Sequence, residues 1–189
     1  MPKIILGSQS PRRKELLRNM GISDFEIIVP TCDESYPDGL SPQETVCYIS
    51  RKKSEAIPCG EDSVVITADT MVFLGDRRLG KPKDREDALQ MLLALQGCCH
   101  TVCTGVTVRN RETAETFAVT TAVYFRPCTR EELLAYIDGG EPMDKAGAYG
   151  IQQQGALLVE RIEGDYFNVV GLPVSRLGQV LKQFGVDLI

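Results

Sequence analysis

The sequence predicts an α/β protein built on a mixed β-sheet, and three observations support that fold class. The segment Ser63–Phe73 is apolar and β-branched with almost no polar alternation, which is typical of a strand buried on both faces. The segments His100–Arg109 and Thr113–Phe125 alternate polar and apolar residues, as in a long antiparallel pair joined around residues 110–112. Helix-capping motifs lie between the apolar segments, so we expect helices to flank the sheet.

Short apolar runs and turn residues predict the remaining strands. These are expected at Lys3–Gly7, Phe25–Val29 and Ala156–Ile162, with a hairpin-like turn over residues 74–79 and a turn region over residues 164–168. Capping residues predict the helices. The first helix begins after Ser10. The other four are expected from Ser41 to about Ile57, from Asp84 to about Gln96, from Thr129 to Gly139 and from Pro173 to Phe184.

Length and charge limit the classes of protein that this chain could represent. Its 189 residues suit a single domain, residues 1–189, or one domain with a lobe, and are enough to bury a substantial core. The formal net charge of −5 argues against a general nucleic-acid-binding surface. The N-terminal apolar run is too short for a signal peptide, and no run approaches membrane-spanning length. We therefore expect a cytoplasmic protein with neither a membrane nor a nucleic acid as partner.

The cysteines are expected to be buried free thiols in a reducing compartment. There are seven, an odd number, and they are scattered through apolar surroundings. Cys98, Cys99, His100 and Cys103 lack the paired spacing of a zinc site, and strand alternation would turn the histidine away from the thiols at 99 and 103. Because His100 is the only histidine, catalysis by a Ser-His or Cys-His pair has few candidates.

Asp69 interrupts the buried run of the third strand, which makes it the first candidate for a functional residue. An ionised carboxylate there is costly to desolvate unless a cation, a metal or several donors compensate its charge. The alternative is that Asp69 caps a turn where the strand bends. Glu34 lies in an acidic turn that is either solvated or supplies a second carboxylate beside Asp69 for a hard divalent ion.

Hydrogen-bond donors and positive charges are concentrated at the start of the first helix. Ser8, Ser10, Arg12 and Arg13 surround its N-terminus, where free backbone N–H groups attract anions. Either this is a phosphate site, or Ser10 simply caps the helix and the arginines are solvated. The density of donors favours the phosphate site.

Two lysines are candidates for contacts with the same ligand. Lys53 falls on the apolar stripe of the second helix, whereas Lys52 points away from that stripe. An inward lysine either meets an anion or extends along the apolar face to water. Lys81 lies in a Gly-Lys pair that lacks the glycine spacing of a Walker loop. It is a candidate because it follows the Asp69 strand, where a lysine could contact the same ligand.

The segment Lys145–Gln152 is rich in small residues, so its backbone can approach a ligand closely. Gln152 carries both a donor and an acceptor, which are the groups needed to read the edge of a nucleobase. The alternative is a plain flexible connector between two elements.

In their order along the chain, these motifs resemble those of the Maf family of nucleotide pyrophosphatases, also called septum formation proteins. The resemblance covers essentially the whole chain, and its motifs are weak singly but highly specific together. They are Ser8–Leu17 (SQSPRRKELL), Ala68-Asp69-Thr70, Gly80-Lys81-Pro82, Asp144–Gln152 (DKAGAYGIQ) and Gly171-Leu172-Pro173. The resemblance implies an elongated mixed sheet, flanked by helices and related to the inosine triphosphate pyrophosphatases, with a cleft for the nucleotide.

The resemblance also implies an activity and roles for individual residues. The family hydrolyses nucleoside triphosphates to the monophosphate and pyrophosphate with a divalent metal, here Mg²⁺ or Mn²⁺, and suggests a homodimer. Asp69 matches the proposed catalytic base and Glu34 a metal-associated acid, so these two carboxylates would hold the metal. The other matches are Ser8, Ser10 and Arg13 in the phosphate-binding turn and Lys53 and Lys81 as the lysines of the site, with Lys52 as the alternative to Lys53.

Within the family, Arg12, Thr70 and Gln152 match the subgroup that acts on dTTP and UTP. The subgroup that acts on methylated GTP has a tryptophan in place of Arg12, and this chain has no tryptophan. Polar side chains can pair with the carbonyl and imide edges of a pyrimidine, whereas a large aromatic would stack on a purine. The sequence therefore predicts a dTTP/UTP pyrophosphatase. The alternatives are a non-selective triphosphate pyrophosphatase and a non-catalytic nucleotide-binding regulator of cell division.

Overall fold

The computed structural model describes residues 1–189, with seven strands and six α-helices. The strands are β1 (Lys3–Gly7), β2 (Glu26–Ile27), β3 (Ser63–Leu74), β4 (Arg77–Leu79), β5 (Cys99–Arg109), β6 (Ala114–Phe125) and β7 (Val159–Glu163). The helices are α1 (Pro11–Asn19), α2 (Pro42–Glu55), α3 (Arg85–Leu95), α4 (Arg130–Asp138), α5 (Tyr166–Val170) and α6 (Val174–Gln183). Three 3₁₀ segments lie between α4 and β7, at Glu141–Asp144, Ala146–Ala148 and Gln154–Leu158.

All seven strands belong to one mixed β-sheet, which confirms the predicted fold class. The strand order is β2-β1-β3-β5-β6-β7, and β4 pairs with β3 outside this path. Strand β1 pairs in parallel with β2 and β3, whereas β4 and β7 pair antiparallel with β3 and β6. None of the helices combines the length and apolarity needed to cross a membrane.

The chain divides into two compact units, and strands β3, β5 and β6 each contribute residues to both. The first unit comprises Met1–Asp69, Thr104–Val119 and Gly171–Ile189. The second unit comprises Thr70–Cys103 and Thr120–Val170. The division falls directly after Asp69 on β3.

In the first unit, helix α2 packs closely against strand β5. Ser41 and Glu44 form a capping box at the start of α2, as the sequence predicts. Val46 on its apolar stripe is fully buried. A Cβ atom at Gly105 of β5 would overlap the backbone carbonyl of Val46, so only glycine permits this approach.

Polar contacts with the strands also hold helix α2. The hydroxyl of Thr67 on β3 donates to the Ser50 carbonyl at 2.7 Å, and the hydroxyls of Ser50 and Thr107 share a hydrogen bond of 2.9 Å. The Arg109 guanidinium donates to the carbonyls of Ser54 and Ile57, both at 2.7 Å, at the end of the helix. These directional bonds set the rotation of α2 about its axis as well as its distance from the sheet.

An aromatic cluster lies in the core of the second unit. His100, Phe125 and Tyr149 make pairwise edge-to-face contacts with ring centroids 4.7–5.3 Å apart. His100 is only 2 % exposed, and its Nε2 lies 2.7 Å from the Tyr149 hydroxyl. Its Nδ1 is buried without a hydrogen-bond partner. Burial lowers the pKa of His100 from 6.5 to about 4, so the ring is neutral at physiological pH.

Three predicted elements differ in extent from those observed. The strand predicted over Phe25–Val29 is reduced to Glu26–Ile27, an exposed edge strand that has only β1 to pair with. The strand predicted over Ala156–Ile162 begins only at Val159, after a 3₁₀ turn in which Ala156 N–H donates to the Gln153 carbonyl. The turn region at 164–168 includes the start of helix α5.

The prediction for the cysteines is right about bonding and mostly wrong about burial. All seven thiols are free. Only Cys103 is buried, however, while Cys98 and Cys99 are exposed, because Cys98 precedes β5 and Cys99 is the first residue of that strand, with its side chain on the exposed face. Strand alternation does place His100 inside when Cys99 is outside.

We expect His100→Gln to reduce the sensitivity of the fold to acid. An unfolded histidine takes up its proton near 6.5 and the folded one only near 4, so the folded state loses stability as the pH falls through this window. Between about pH 7 and about pH 5 the wild type should lose about 2 kcal/mol more than the variant, measured by urea denaturation. Glutamine retains a polar partner for Tyr149, and equal losses in the two proteins would contradict the assignment.

Candidate active site

Asp69 lies on β3 with its side chain 11 % exposed, and its two carboxylate oxygens differ in their surroundings. Oδ1 accepts a hydrogen bond from the Lys53 ammonium at 2.8 Å. Oδ2 is buried and has no hydrogen-bond partner. A desolvated carboxylate oxygen without a donor is rare in native structures, and it leaves lone pairs available to a ligand.

Lys53 on helix α2 connects the two carboxylates that the sequence singles out. Its Nζ lies 2.8 Å from Asp69 Oδ1 and 3.2 Å from Glu34 Oε1, and its side chain is 12 % exposed. Helical spacing predicts that Lys53 points inward, where it either contacts an anion or extends to water. In the structure it contacts an anion. A single partly buried cation therefore compensates Asp69 and also pairs with Glu34 of the acidic turn.

The neighbouring Lys52 holds the acidic turn from the other side. Its Nζ donates to the Ser35 carbonyl at 3.0 Å and lies 3.8 Å from Asp33 Oδ2. Hydrogen bonds from the Ser35 side chain and backbone lower the pKa of the Asp33 carboxyl, so this group is ionised at neutral pH. Two consecutive lysines of α2 thus bind the flanks and the centre of the turn that carries Glu34.

The turn before α1 forms a compact group of donors, as the sequence predicts. Ser10 is the N-cap of α1 and accepts from the Arg13 N–H at 3.5 Å. The buried Ser8 hydroxyl accepts from the Ser10 N–H at 3.2 Å and from Arg13 Nη1 at 3.3 Å. Arg13 Nε donates to the Gly171 carbonyl at 2.8 Å, which fixes the guanidinium from the side opposite Ser8.

Arg13 acts electrostatically on the same carboxylates as Lys53. Burial lowers the pKa of its guanidinium, the negative charges of Asp69 and Glu34 act to raise it, and the positive charge of Arg12 acts to lower it. In the first unit, Lys53 therefore contacts Asp69 and Glu34, and Arg13, which is bonded to the serine turn, interacts electrostatically with the same two carboxylates. Such a set can bind a polyanion and place a basic oxygen beside it.

Three of the predicted site residues belong to the second unit, and their roles stay predictions. Thr70 follows Asp69 on β3 and is partly buried, while Lys81 and Gln152 are exposed. The Gly147 N–H donates to the Gly80 carbonyl at 3.0 Å, so the segment before Lys81 contacts the loop that carries Gln152.

Sequence reasoning did not anticipate three contributors to this geometry. They are the Gly171 carbonyl that accepts from Arg13, the guanidinium of Arg109 at the end of α2, and the Ser35 carbonyl that accepts from Lys52. Of the three, only Gly171 could have been singled out from the sequence, because it lies in the Gly171-Leu172-Pro173 motif. The other two act through pairings that residue type and spacing do not reveal.

Asp69 and Glu34 fit a hydrated divalent ion better than a closed metal site. No group of three or more His, Cys, Asp and Glu side chains is placed to hold a metal. Mg²⁺ and Mn²⁺ accept oxygen ligands, and Mg²⁺ is commonly bound by one or two carboxylates together with waters and substrate phosphates. The buried Asp69 Oδ2, which lacks a donor, and the exposed Glu34 carboxylate offer that donor set.

Comparison with known proteins identifies the family of the chain. The sequence profile described as "Maf-like protein" matches residues 3–184. The chain belongs to the Maf-like family. The resemblance stated from the motifs is thereby confirmed.

Curated relatives align with the chain over nearly its full length. A protein named dTTP/UTP pyrophosphatase from Bacillus velezensis is 47 % identical over 185 residues, covering 97 % of each chain. Proteins with the same name from Acetivibrio thermocellus and Desulforamulus reducens are 47 % and 43 % identical, covering 100 % of this chain and 98 % and 100 % of their own.

A solved structure supports the predicted relationship of folds. A HAM1 protein from Coxiella burnetii superimposes with a TM-score of 0.54 over 97 % of this chain and 100 % of its own, at 12 % sequence identity. At this identity the similarity concerns the fold alone.

We expect Lys53→Met to destabilise the protein far more than Lys52→Met. Methionine at position 53 leaves the buried Asp69 carboxylate without its hydrogen-bonded cation, at a cost of about 2 kcal/mol. Lys52 is more exposed and bonds a surface turn, so its replacement should cost less than about 0.5 kcal/mol. Urea denaturation of the two variants measures the difference, and equal losses would show that Lys53 does not compensate Asp69.

Proposed function

We propose that this protein is a metal-dependent nucleotide pyrophosphatase that hydrolyses dTTP and UTP to the monophosphate and pyrophosphate. The observation that carries the proposal is the buried Asp69, whose Oδ1 is held by Lys53 while Oδ2 is left without a donor. Family membership and the shared name of full-length relatives support the same activity.

The first unit has the groups needed to bind a triphosphate. Ser8, Ser10 and Arg13 offer hydroxyls, an arginine and the N-terminus of α1 to phosphate oxygens. We assign Lys53 and Lys81 to neutralising charge on the phosphates and on the departing pyrophosphate, the electrostatic task that dominates transfers of this kind.

Asp69 is assigned as the base that orients or deprotonates the attacking water. Its Oδ1 is engaged by Lys53, so Oδ2 is the oxygen that would take the proton while the water attacks the α-phosphorus. Mg²⁺ or Mn²⁺, held by Asp69 and Glu34, would supply charge neutralisation on the triphosphate when bound. The Lys53 ammonium contacts both carboxylates.

Selection of the pyrimidine is assigned to Arg12, Thr70 and Gln152. Their polar side chains can pair with the carbonyl and imide groups of uracil or thymine. We further propose that residues 1–189 act as one family domain in a cytoplasmic homodimer, without nucleic acid or membrane partners.

Product analysis tests the proposed reaction directly. Purified protein is incubated with Mg²⁺ or Mn²⁺ and, separately, UTP, dTTP, CTP, ATP, GTP and methylated GTP. Monophosphate and pyrophosphate from UTP and dTTP alone are expected. Release of orthophosphate would contradict attack on the α-phosphorus, comparable turnover of ATP would indicate a non-selective pyrophosphatase, and intact nucleotides would point to a binding regulator.

We expect Asp69→Asn to lower kcat by about 10²- to 10⁴-fold, since the amide cannot accept the proton from water. Asp76→Asn, in the exposed turn after β3, is the matched control and should retain wild-type turnover. Steady-state kinetics with UTP and circular dichroism of both variants make the comparison. Near-normal turnover of a folded Asp69→Asn protein would remove Asp69 as the base.

A further inference from the structure

The loop that carries Gln152 is closed at its base by a buried tyrosine and a glutamate. We define the selector loop as residues 150–155. The Gly150 N–H at its start donates to the Tyr136 hydroxyl at 3.1 Å. The Gln154 and Gly155 N–H groups at its end donate to the Glu141 carboxylate at 3.0 and 3.4 Å.

The two anchors are themselves joined. The Tyr136 hydroxyl donates to Glu141 Oε1 at 3.2 Å, so one continuous chain of hydrogen bonds connects the start of the selector loop with its end. Tyr136 is 6 % exposed, and burial raises the pKa of its phenol, which therefore remains a donor throughout the working pH range. We call this pair the Tyr136–Glu141 clamp.

Packing at the base of the loop leaves little room for another arrangement. A Cβ atom at Gly155 would overlap the Gly150 carbonyl and would lie 2.8 Å from the Tyr136 hydroxyl, so the two ends of the loop touch. Ile151 is buried, while Gln152 and Gln153 are exposed. The clamp therefore fixes the backbone on both sides of an exposed Gln152 side chain.

The glutamate is in turn held from its other side. Lys145 Nζ donates to the Glu141 carbonyl at 2.6 Å and to Asp144 Oδ1 at 2.7 Å. The aliphatic part of Lys145 covers Gly150 so closely that a Cβ there would lie 2.6 Å from Cε. The clamp is thus built into the second unit rather than formed by one isolated contact.

We propose that the Tyr136–Glu141 clamp is a specificity-determining element, which discriminates among nucleobases by holding the selector loop so that Gln152 meets the base edge in one orientation. The proposal rests on the proposed function, in which Gln152 reads the pyrimidine. Tyr136 and Glu141 are positioning residues, since they act through Gln152. Hydrogen-bond readout needs such support, because a donor and acceptor discriminate only when their direction is fixed.

The test is the ratio of kcat/KM for UTP to that for CTP, since these bases differ at the edge that an amide can read. Tyr136→Phe deletes one hydroxyl and keeps the ring, and we expect the ratio to fall about threefold to tenfold, mainly through KM for UTP. Gln152→Ala should lower the ratio at least as far. The double variant should show no loss beyond that of Gln152→Ala, because the clamp acts through this side chain.

Tyr124→Phe is the matched control. Its hydroxyl donates to Glu163 at 3.2 Å, the same bond at the same length in the same unit, but it closes no loop. This variant should keep the wild-type ratio.

Glu141→Gln is the second test variant, to be used if Tyr136→Phe folds poorly. The glutamine amide would present an N–H donor to backbone N–H groups, so we expect the same fall in the ratio.

The outcomes separate this inference from the proposed function. A ratio that falls in Gln152→Ala but not in folded Tyr136→Phe or Glu141→Gln overturns the clamp and leaves Gln152 as the selector. A melting temperature that drops without a change in the ratio also overturns it, since the pair would then serve stability only. A ratio unchanged in Gln152→Ala overturns both assignments.

Discussion

The negative charge of Asp69 is the constraint on which the first unit depends. An ionised carboxylate that is 11 % exposed on a strand of apolar neighbours is costly to desolvate unless a cation lies at hydrogen-bond distance. That cation is the Lys53 ammonium, and it belongs to a helix rather than to the strand itself. The position of α2 relative to β3 is therefore an electrostatic requirement as well as a packing one.

The contacts that hold α2 have the directionality that this requirement demands. Apolar packing alone tolerates small rotations of a helix, whereas hydrogen bonds do not. The bonds from Thr67, Thr107 and Arg109 lie on the same face of α2 and toward its C-terminal half, close to Lys53. Gly105 permits the close approach from which these bonds can form. A rigid element thus carries the ammonium, as a preorganised site needs.

The two Asp69 oxygens have different surroundings, so one contributes to the ion pair with Lys53 and the other is available to a ligand. The Lys53 ammonium donates to Oδ1, whereas the buried Oδ2 has no protein donor. Arg13, fixed by Ser8 and the Gly171 carbonyl, adds a second positive charge whose field reaches the carboxylates. In the second unit, hydrogen bonds to Tyr136 and Glu141 likewise hold the two ends of the loop that carries Gln152.

Several helices and strands and the inward lysine could be predicted from the sequence, because they depend on interactions between residues close together in the chain. Capping boxes at Ser41 and Thr129 located two helices, period-two alternation located β5 and β6, and helical phase chose Lys53 over Lys52 as the inward lysine. The interrupted apolar run marked Asp69 as a charge in need of partners. The tertiary structure alone decided which partners it has and which of its oxygens is left without a donor. It also decided that Arg109 anchors α2, that Cys98 and Cys99 are exposed, and that Tyr136 and Glu141 close the loop around Gln152. These contacts join residues that are far apart in the sequence. Residue type and spacing within one segment do not predict which distant segments will be in contact.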